Sequence, residues 1–203
     1  GRVGRLFQLS FHWRTGDGAG PEPYTLQPYF REMPRLLVHE ALVHVLDTFR
    51  FLAGELRGVC CQIRRINPVI RGEDQAVIQV SFAGGALGLI DANRITGPTL
   101  VPPAAGTLLI EGDRAALRMD PEGRIWIAEE GKDEAEHAYR IPAVGYRGDS
   151  VHATQEHIVE CLRSGKPCES EGREYLKTVK AVFACYRSAE EGREVRVEED
   201  GKP

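Results

Sequence analysis

The stretch from Arg35 to Gly54, RLLVHEALVHVLDTFRFLAG, decides how the rest of the chain is read. Wound at roughly 100° per residue, it gathers Val38, Leu42, Val45, Leu46, Phe49, Leu52 and Ala53 on one face and Glu40, His44 and Asp47 on the other. A helix of that kind lays its apolar side on a core. Pro34 suits the entry because proline has no N–H to lose in the first turn, and Gly54 suits the exit because glycine takes the left-handed conformation just past the last turn. On the polar side, residues three or four apart stand one turn from each other, so the spacing predicts Glu40 and Asp47 within hydrogen-bonding distance of the His44 ring. A carboxylate beside an imidazole fixes its tautomer and raises its basicity, and histidine as a residue type has the ordinary pKa nearest neutrality. Such a trio is equipped to exchange a proton with an alcohol or carbonyl oxygen. A solvated polar helix face with a spectator histidine is the other reading of the same residues.

Around this helix the pattern is mostly period two. Leu6 to Trp13 reads as a strand through Phe7, Leu9 and Phe11, and Thr15 to Tyr24 (TGDGAGPEPY) as a loop by its glycines and prolines. Beyond Gly54, strands are predicted over Gly58 to Ile66 and Asp74 to Phe82, with a turn at Ala83-Gly84-Gly85 and an antiparallel return over Ala86 to Ile95. Thr107 to Glu111, Ala115 to Met119 and Ile125 to Ala128 add three short strands, followed by an exposed charged loop over Glu129 to Glu136 and an edge strand reaching Ile141. A helix over Ser150 to Ser164 stops at Gly165 with Pro167 behind it. A second, from about Glu171 to Glu191, stops at Gly192 and takes Leu176, Val179, Phe183 and Tyr186 as its buried stripe; Glu194 to Val197 closes the sheet. Consecutive hairpins with flanking helices predict an α+β fold: an open, predominantly antiparallel β-sheet with helices packed on one face.

With 203 residues, of which 42% are hydrophobic, the chain is long enough for one substantial core, and a single domain over residues 1–203 is expected. The formal net charge of −4 and the scattered basic residues give no nucleic-acid footprint. No apolar run approaches the roughly 18 residues that cross a bilayer, and the N-terminus lacks a charged-then-apolar leader, so a cytoplasmic protein with no membrane partner is expected. Cys60, Cys61, Cys161, Cys168 and Cys185 are odd in number and without C-x-x-C spacing, which suggests buried or idle thiols rather than a disulfide framework or zinc ribbon. His39 and His44 superficially match an H-E-x-x-H zinc motif, yet five residues separate them by about 140° on a helix; His152 and His157 fail in the same way. No metal ligand set is therefore assigned. Gly1-Arg2-Val3-Gly4-Arg5-Leu6 runs into a strand rather than opening a helix, and no other glycine-rich loop joins a strand to a helix, so no cofactor-binding residue is assigned either. Hydrolase chemistry finds no serine or cysteine in a nucleophile turn.

The E-x-x-x-H-x-x-D-x-x-x-x-x-x-G spacing from Glu40 to Gly54 resembles the signature helix in the C-terminal domain of the glucose-fructose oxidoreductase / inositol dehydrogenase (Gfo/Idh/MocA) family. The last third, HIVECLRSGKPCESEGREYLKTVKAVFACYRSAEEGREVRV from His157 to Val197, is similar to that family's closing helix pair and final strand, including the Arg187 to Gly192 ending. Together they bracket nearly all of the chain.

The resemblance implies the substrate-binding and oligomerisation domain of an NAD(P)-dependent oxidoreductase acting on a sugar, cyclitol or related polyol. NAD or NADP would be bound in the complete enzyme and not by this chain, which alone would be catalytically silent. His44 takes the acid/base role, and Glu40 stands where members usually carry aspartate, one methylene longer. Asp47 supports the helix. The segment before the helix contributes to the substrate pocket in the family and here offers His12, Arg14, Tyr29, Arg31 and Arg35. The family's catalytic lysine sits in an E-K-P motif of the nucleotide domain, so Lys166-Pro167, which follows a helix-ending glycine, is a loop. A homo-dimer or tetramer through the sheet face is expected. The competing expectation is a non-catalytic binding or assembly module with the same fold, for which His44 does nothing.

Overall fold

The computed structural model describes residues 1–96, 106–140, 144–145 and 148–197. Among these residues, alternation of apolar and polar side chains becomes a nine-stranded open sheet in the order β8-β7-β6-β5-β1-β4-β3-β2-β9. Its strands are β1 (Leu6–Arg14), β2 (Leu56–Arg64), β3 (Gln75–Phe82), β4 (Leu87–Asn93), β5 (Thr107–Gly112), β6 (Ala115–Met119), β7 (Ile125–Glu129), β8 (Ala135–Glu136) and β9 (Val195–Arg196). Antiparallel ladders join β5 to β8 and β4 to β2 as two meanders. β1 stitches them together, antiparallel to β5 and parallel to β4. A parallel pair needs a crossover, and the signature helix lies within the one that leaves β1.

Register fixes which face is which. Ala76, Ile78, Val80 and Phe82 of β3, Ile90 and Ala92 of β4 and Leu9 of β1 are buried beneath helices, whereas Val77 and Leu89 on the other parity face outward. The signature segment opens as a π-helix over Leu37–Leu42 and continues as α1 (Val43–Ala53). Val38, Leu42, Leu46 and Phe49 from its apolar stripe are fully buried, as the periodicity predicts. The remaining helices among the described residues are a short 3₁₀ helix over Pro28–Glu32, α2 (Ser150–Ser164) and α3 (Gly172–Glu191). None of the helices among the described residues is long and apolar enough to cross a membrane.

Three expectations change. The helix does not take up its turn at Pro34. Its first free amides are collected by a residue far along the chain: the Glu73 carboxylate accepts from Leu36 N–H (3.2 Å) and Val38 N–H (2.9 Å), and the Glu73 carbonyl from Leu37 N–H (3.2 Å). Gly72 lets this loop come so near, since a Cβ there would stand 2.6 Å from the Met33 carbonyl oxygen. The second change is the stripe of α3. Leu176 and Phe183 are 52% and 45% exposed, while Thr178, Ala181, Val182, Cys185 and Ser188 are buried alongside Tyr186. Small side chains let α3 approach β2 closely enough for the Ser188 hydroxyl to accept from Cys61 N–H at 2.9 Å, and larger ones at those positions would hold it off. The third is the edge strand expected after the Glu129 to Glu136 loop: residues 137–140 are not strand, the short β8 falls at Ala135–Glu136 within the stretch expected as loop, and Ile141 lies outside the described residues.

Candidate functional site

Continuing the inward parity of β4 from Ile90 and Ala92 brings Arg94 under the helices, where it is only 3% exposed. A charge so placed requires partners on every side. Arg94 donates through Nε to Asp17 Oδ1 (3.2 Å), through Nη2 to Asp17 Oδ2, and through Nη1 to Glu40 Oε2 (3.0 Å). Its guanidinium carbon lies 4.7 Å from the ring centre of Tyr24 and 4.9 Å from that of Phe30, within cation–π range. Burial opposes the charge, but the Asp17 hydrogen bonds and carboxylate, followed by Tyr24 and Glu40, raise the guanidinium above its ordinary pKa.

The loop between β1 and the helix is held to this arginine by its backbone. Gly18 N–H donates to the Arg94 carbonyl (2.8 Å), and Asn67 Nδ2 donates to the carbonyls of Gly18 (2.7 Å) and Gly20 (2.8 Å). Tyr24 sits in the left-handed region at φ 58°, a costly conformation for a large side chain that only surrounding contacts sustain. Its buried hydroxyl finds no hydrogen-bond partner among the described residues. Burial above all pushes this phenol up, with Arg94 pulling the other way. A raised folded pKa adds stability in full below the unfolded value of about 10, and the contribution is lost as pH climbs toward the folded one, at about 1.4 kcal/mol per pH unit. Tyr24→Phe removes both the unpartnered hydroxyl and the titration. Its unfolding free energy in urea is expected to match or exceed the parent's at neutral pH and to fall less steeply between about pH 9 and 11; parallel alkaline slopes for the two proteins would refute the assignment.

Glu40 therefore turns to Arg94. Asp47 turns to α3, where its carboxylate accepts from the Thr178 hydroxyl (2.6 Å) and stands 3.6 Å from the Arg50 guanidinium. Among the described residues neither acid hydrogen-bonds the His44 ring, contrary to the flanking arrangement expected from helical spacing. A buried guanidinium attracts Glu40 more strongly than a solvated imidazole does, and the ring of His44 is left exposed on the first turn of α1.

The other candidates do not converge on one point. His12 and Arg14 lie on the open face of the sheet, opposite the helices, around Asp91: Arg14 Nη2 to Asp91 Oδ2 is 2.6 Å and His12 Nε2 to the same oxygen 3.8 Å. Arg35 is stacked over Phe183 (5.1 Å) and Tyr186 (5.0 Å). Tyr29 packs edge-on against Phe30 at 4.8 Å, and Arg31 donates to the Pro23 carbonyl at 2.7 Å, so these two border the Arg94 cluster. Asp17, Tyr24, Gln27 and Phe30 line a cavity of about 240 Å³ beside it. Sequence reasoning passed over Arg94 and Asp17. The available signal was parity: a charged residue in the next buried slot after Ile90 and Ala92. No strand, glycine-rich loop and helix in succession form a pyrophosphate cradle among the described residues.

Comparison with known proteins adds an independent line. The D-apiose dehydrogenase of Rhizobium rhizogenes is 28% identical over 203 residues, covering 97% of this chain and 58% of the relative. That of Paraburkholderia graminis is 28% identical over 179 residues, covering 84% of this chain and 47% of the relative. The chain thus spans about half the length of these curated relatives. Among solved structures, an oxidoreductase from Agrobacterium radiobacter in complex with NAD+, L-tartaric acid and magnesium superposes with a TM-score of 0.84 at 27% identity, over 97% of this chain and 58% of that one. A levoglucosan dehydrogenase in complex with NADH shares the fold, with a TM-score of 0.83 at 18% identity, over 98% of this chain and 60% of that one. The family model described as "Oxidoreductase family, C-terminal alpha/beta domain" matches residues 12–197. A match of that extent, on a sheet and signature helix of the same architecture, means that the chain belongs to the Gfo/Idh/MocA oxidoreductase family.

Proposed function

We propose that the chain forms the substrate side of an NAD(P)-dependent dehydrogenase of a sugar or related polyol, with His44 exchanging a proton with the substrate's hydroxyl or carbonyl oxygen. The observation that carries this reading is an exposed imidazole on a helix immobilised from two directions, at its start by Glu73 and through Glu40 by the buried Arg94. A free ring on a fixed backbone is what proton transfer at a set position requires. Glu40 serves that site by positioning, since its carboxylate is taken by Arg94, and Asp47 serves it by tying α1 to α3. Tyr29 and Arg31, at the border of the Arg94 cluster, are the substrate-binding candidates on the helix side.

The D-apiose dehydrogenases favour a sugar as substrate, and the relative solved with NAD+ favours a nicotinamide as hydride carrier. The described residues supply no cradle for that cofactor, so its binding is assigned to the rest of a complete enzyme. A concavity of about 240 Å³ is also smaller than the usual 300–1,000 Å³ ligand pocket, which suits a site completed by a second wall. With all five cysteines free, a cytoplasmic setting agrees with the same reading.

Assembly is the second reading, and the open sheet face favours it through exposed Val77, Leu87 and Leu89. One substitution separates the two. In the complete dehydrogenase, His44→Ala is expected to lower turnover on a polyol substrate by about 10²–10⁴-fold, with molar mass by light scattering unchanged. Unaltered turnover would remove His44 from the chemistry and leave assembly in the lead.

A further inference from the structure

Away from the Arg94 cluster, His157, Cys161 and Cys168 bring one imidazole nitrogen and two sulfurs within 4.8 Å of one another. His157 and Cys161 are one turn apart on α2, and their Nε2 and Sγ are separated by 3.6 Å. Cys168 arrives separately: α2 ends at Gly165, whose left-handed φ of 67° turns the chain back past Pro167, whose carbonyl lies 3.6 Å from Cys161 Sγ. A fourth donor is at hand, since Glu169 Oε1 lies 3.9 Å from the same His157 nitrogen.

We propose that these residues form a zinc site, with Cys161, Cys168 and His157 as ligands and Glu169 or water in the fourth position. Tetrahedral zinc with bonds of about 2.3 Å to sulfur and about 2.05 Å to nitrogen sets its sulfur and nitrogen ligands about 3.6 Å apart. The His157–Cys161 pair already has that separation without any movement of the helix. Two soft thiolates with an imidazole select zinc over magnesium or calcium, whose preference is for oxygen. On binding, both thiols give up their protons to solvent and the imidazole binds through its neutral lone pair. A site joining α2 to the turn that leads into α3 would fix the relative course of the two segments, and it would do so through Cys161, which α2 buries. Spacing alone conceals this site, for its ligands come from a helix and the loop beyond it.

The test uses the 203-residue protein, freshly reduced, exposed to zinc chloride and dialysed. Metal analysis is expected to find close to one zinc per chain. Cobalt substituted for zinc should show the near-ultraviolet thiolate charge-transfer band and the visible bands of a tetrahedral site. Cys168→Ser, in a partly exposed loop that need not disturb folding, should weaken binding by at least about tenfold, as should Cys161→Ser, with Cys60→Ser unchanged. Absence of retained zinc in the parent protein, equal affinity in Cys168→Ser, or a Cys161–Cys168 disulfide that takes up no zinc after reduction would each overturn the proposal.

Discussion

Arg94→Met is expected to destabilise the protein by about 3–5 kcal/mol, the scale for removing one member of a buried ionic group. Methionine keeps much of the apolar stem against Tyr24 and Phe30 but removes the charge. Asp17, whose side chain is 16% exposed, then loses a two-pronged partner and stays near Glu40, a second carboxylate. Glu40 is the more exposed of the two and can turn to water, so most of the loss belongs to Asp17 and to the loop that the Arg94 carbonyl holds through Gly18. Arg94→Lys should recover only part of it, because an ammonium cannot bond both Asp17 oxygens and Glu40 from one plane. Adding Asp17→Asn to Arg94→Met should cost less than the sum of the two single changes, since the stranded charge is gone. Urea unfolding of the four variants checks this. An Arg94→Met protein within about 0.5 kcal/mol of the parent would show that the cluster is peripheral to stability.

What the sequence discloses about this fold follows from periodicity. Strand parity over Gln75–Phe82 and the apolar stripe from Val38 to Phe49 are local properties, and each appears in the structure on the predicted face; the antiparallel return appears as Leu87–Asn93. The stripe of α3 illustrates the limit. Hydrophobicity ranks Leu176 and Phe183 above Ala181 and Ser188, but close approach to a strand selects small side chains, and that selection depends on the neighbour and not on the helix itself. The insertion of β1 between β5 and β4 likewise cannot be read from hairpin signals, which describe only consecutive strands.

The candidate site divides along the same line. The exposed place of His44 on the polar side of the helix was legible from helical spacing. Its neighbours were misjudged because an i, i+4 argument treats the helix as isolated, whereas Glu40 and Asp47 choose among all partners the fold brings to them. Arg94 is 54 residues from Glu40 in the chain and 77 from Asp17. Thr178 is 131 residues from Asp47. No local rule reaches that far.

Glu73 is the sharpest case of such a distant partner, and Glu73→Ala is expected to cost about 3–5 kcal/mol. Three donors converge on this buried carboxylate: Leu36 N–H, Val38 N–H and the Tyr186 hydroxyl, the last at 2.6 Å. Each donor left buried without an acceptor costs about 1–3 kcal/mol. Tyr186→Phe removes one donor and leaves two backbone amides satisfied, so its penalty should be the smaller. Glu73→Gln keeps the volume and one acceptor oxygen but points an amide N–H₂ toward one of the donors, and should fall between the two. The location of the damage is as informative as its size. Hydrogen exchange at the Leu36 and Val38 amides should accelerate strongly in Glu73→Ala, while Leu37, whose N–H donates to the residue 73 carbonyl, and Ile78 inside β3 keep most of their protection. That pattern would mean that the start of the signature helix can loosen while the sheet persists, so that the placement of His44 depends on an acid 29 residues away in the chain. Uniform acceleration across helix and sheet would mean instead that the cap and the core unfold as one unit, and that Glu73 supports the fold without separately setting the site.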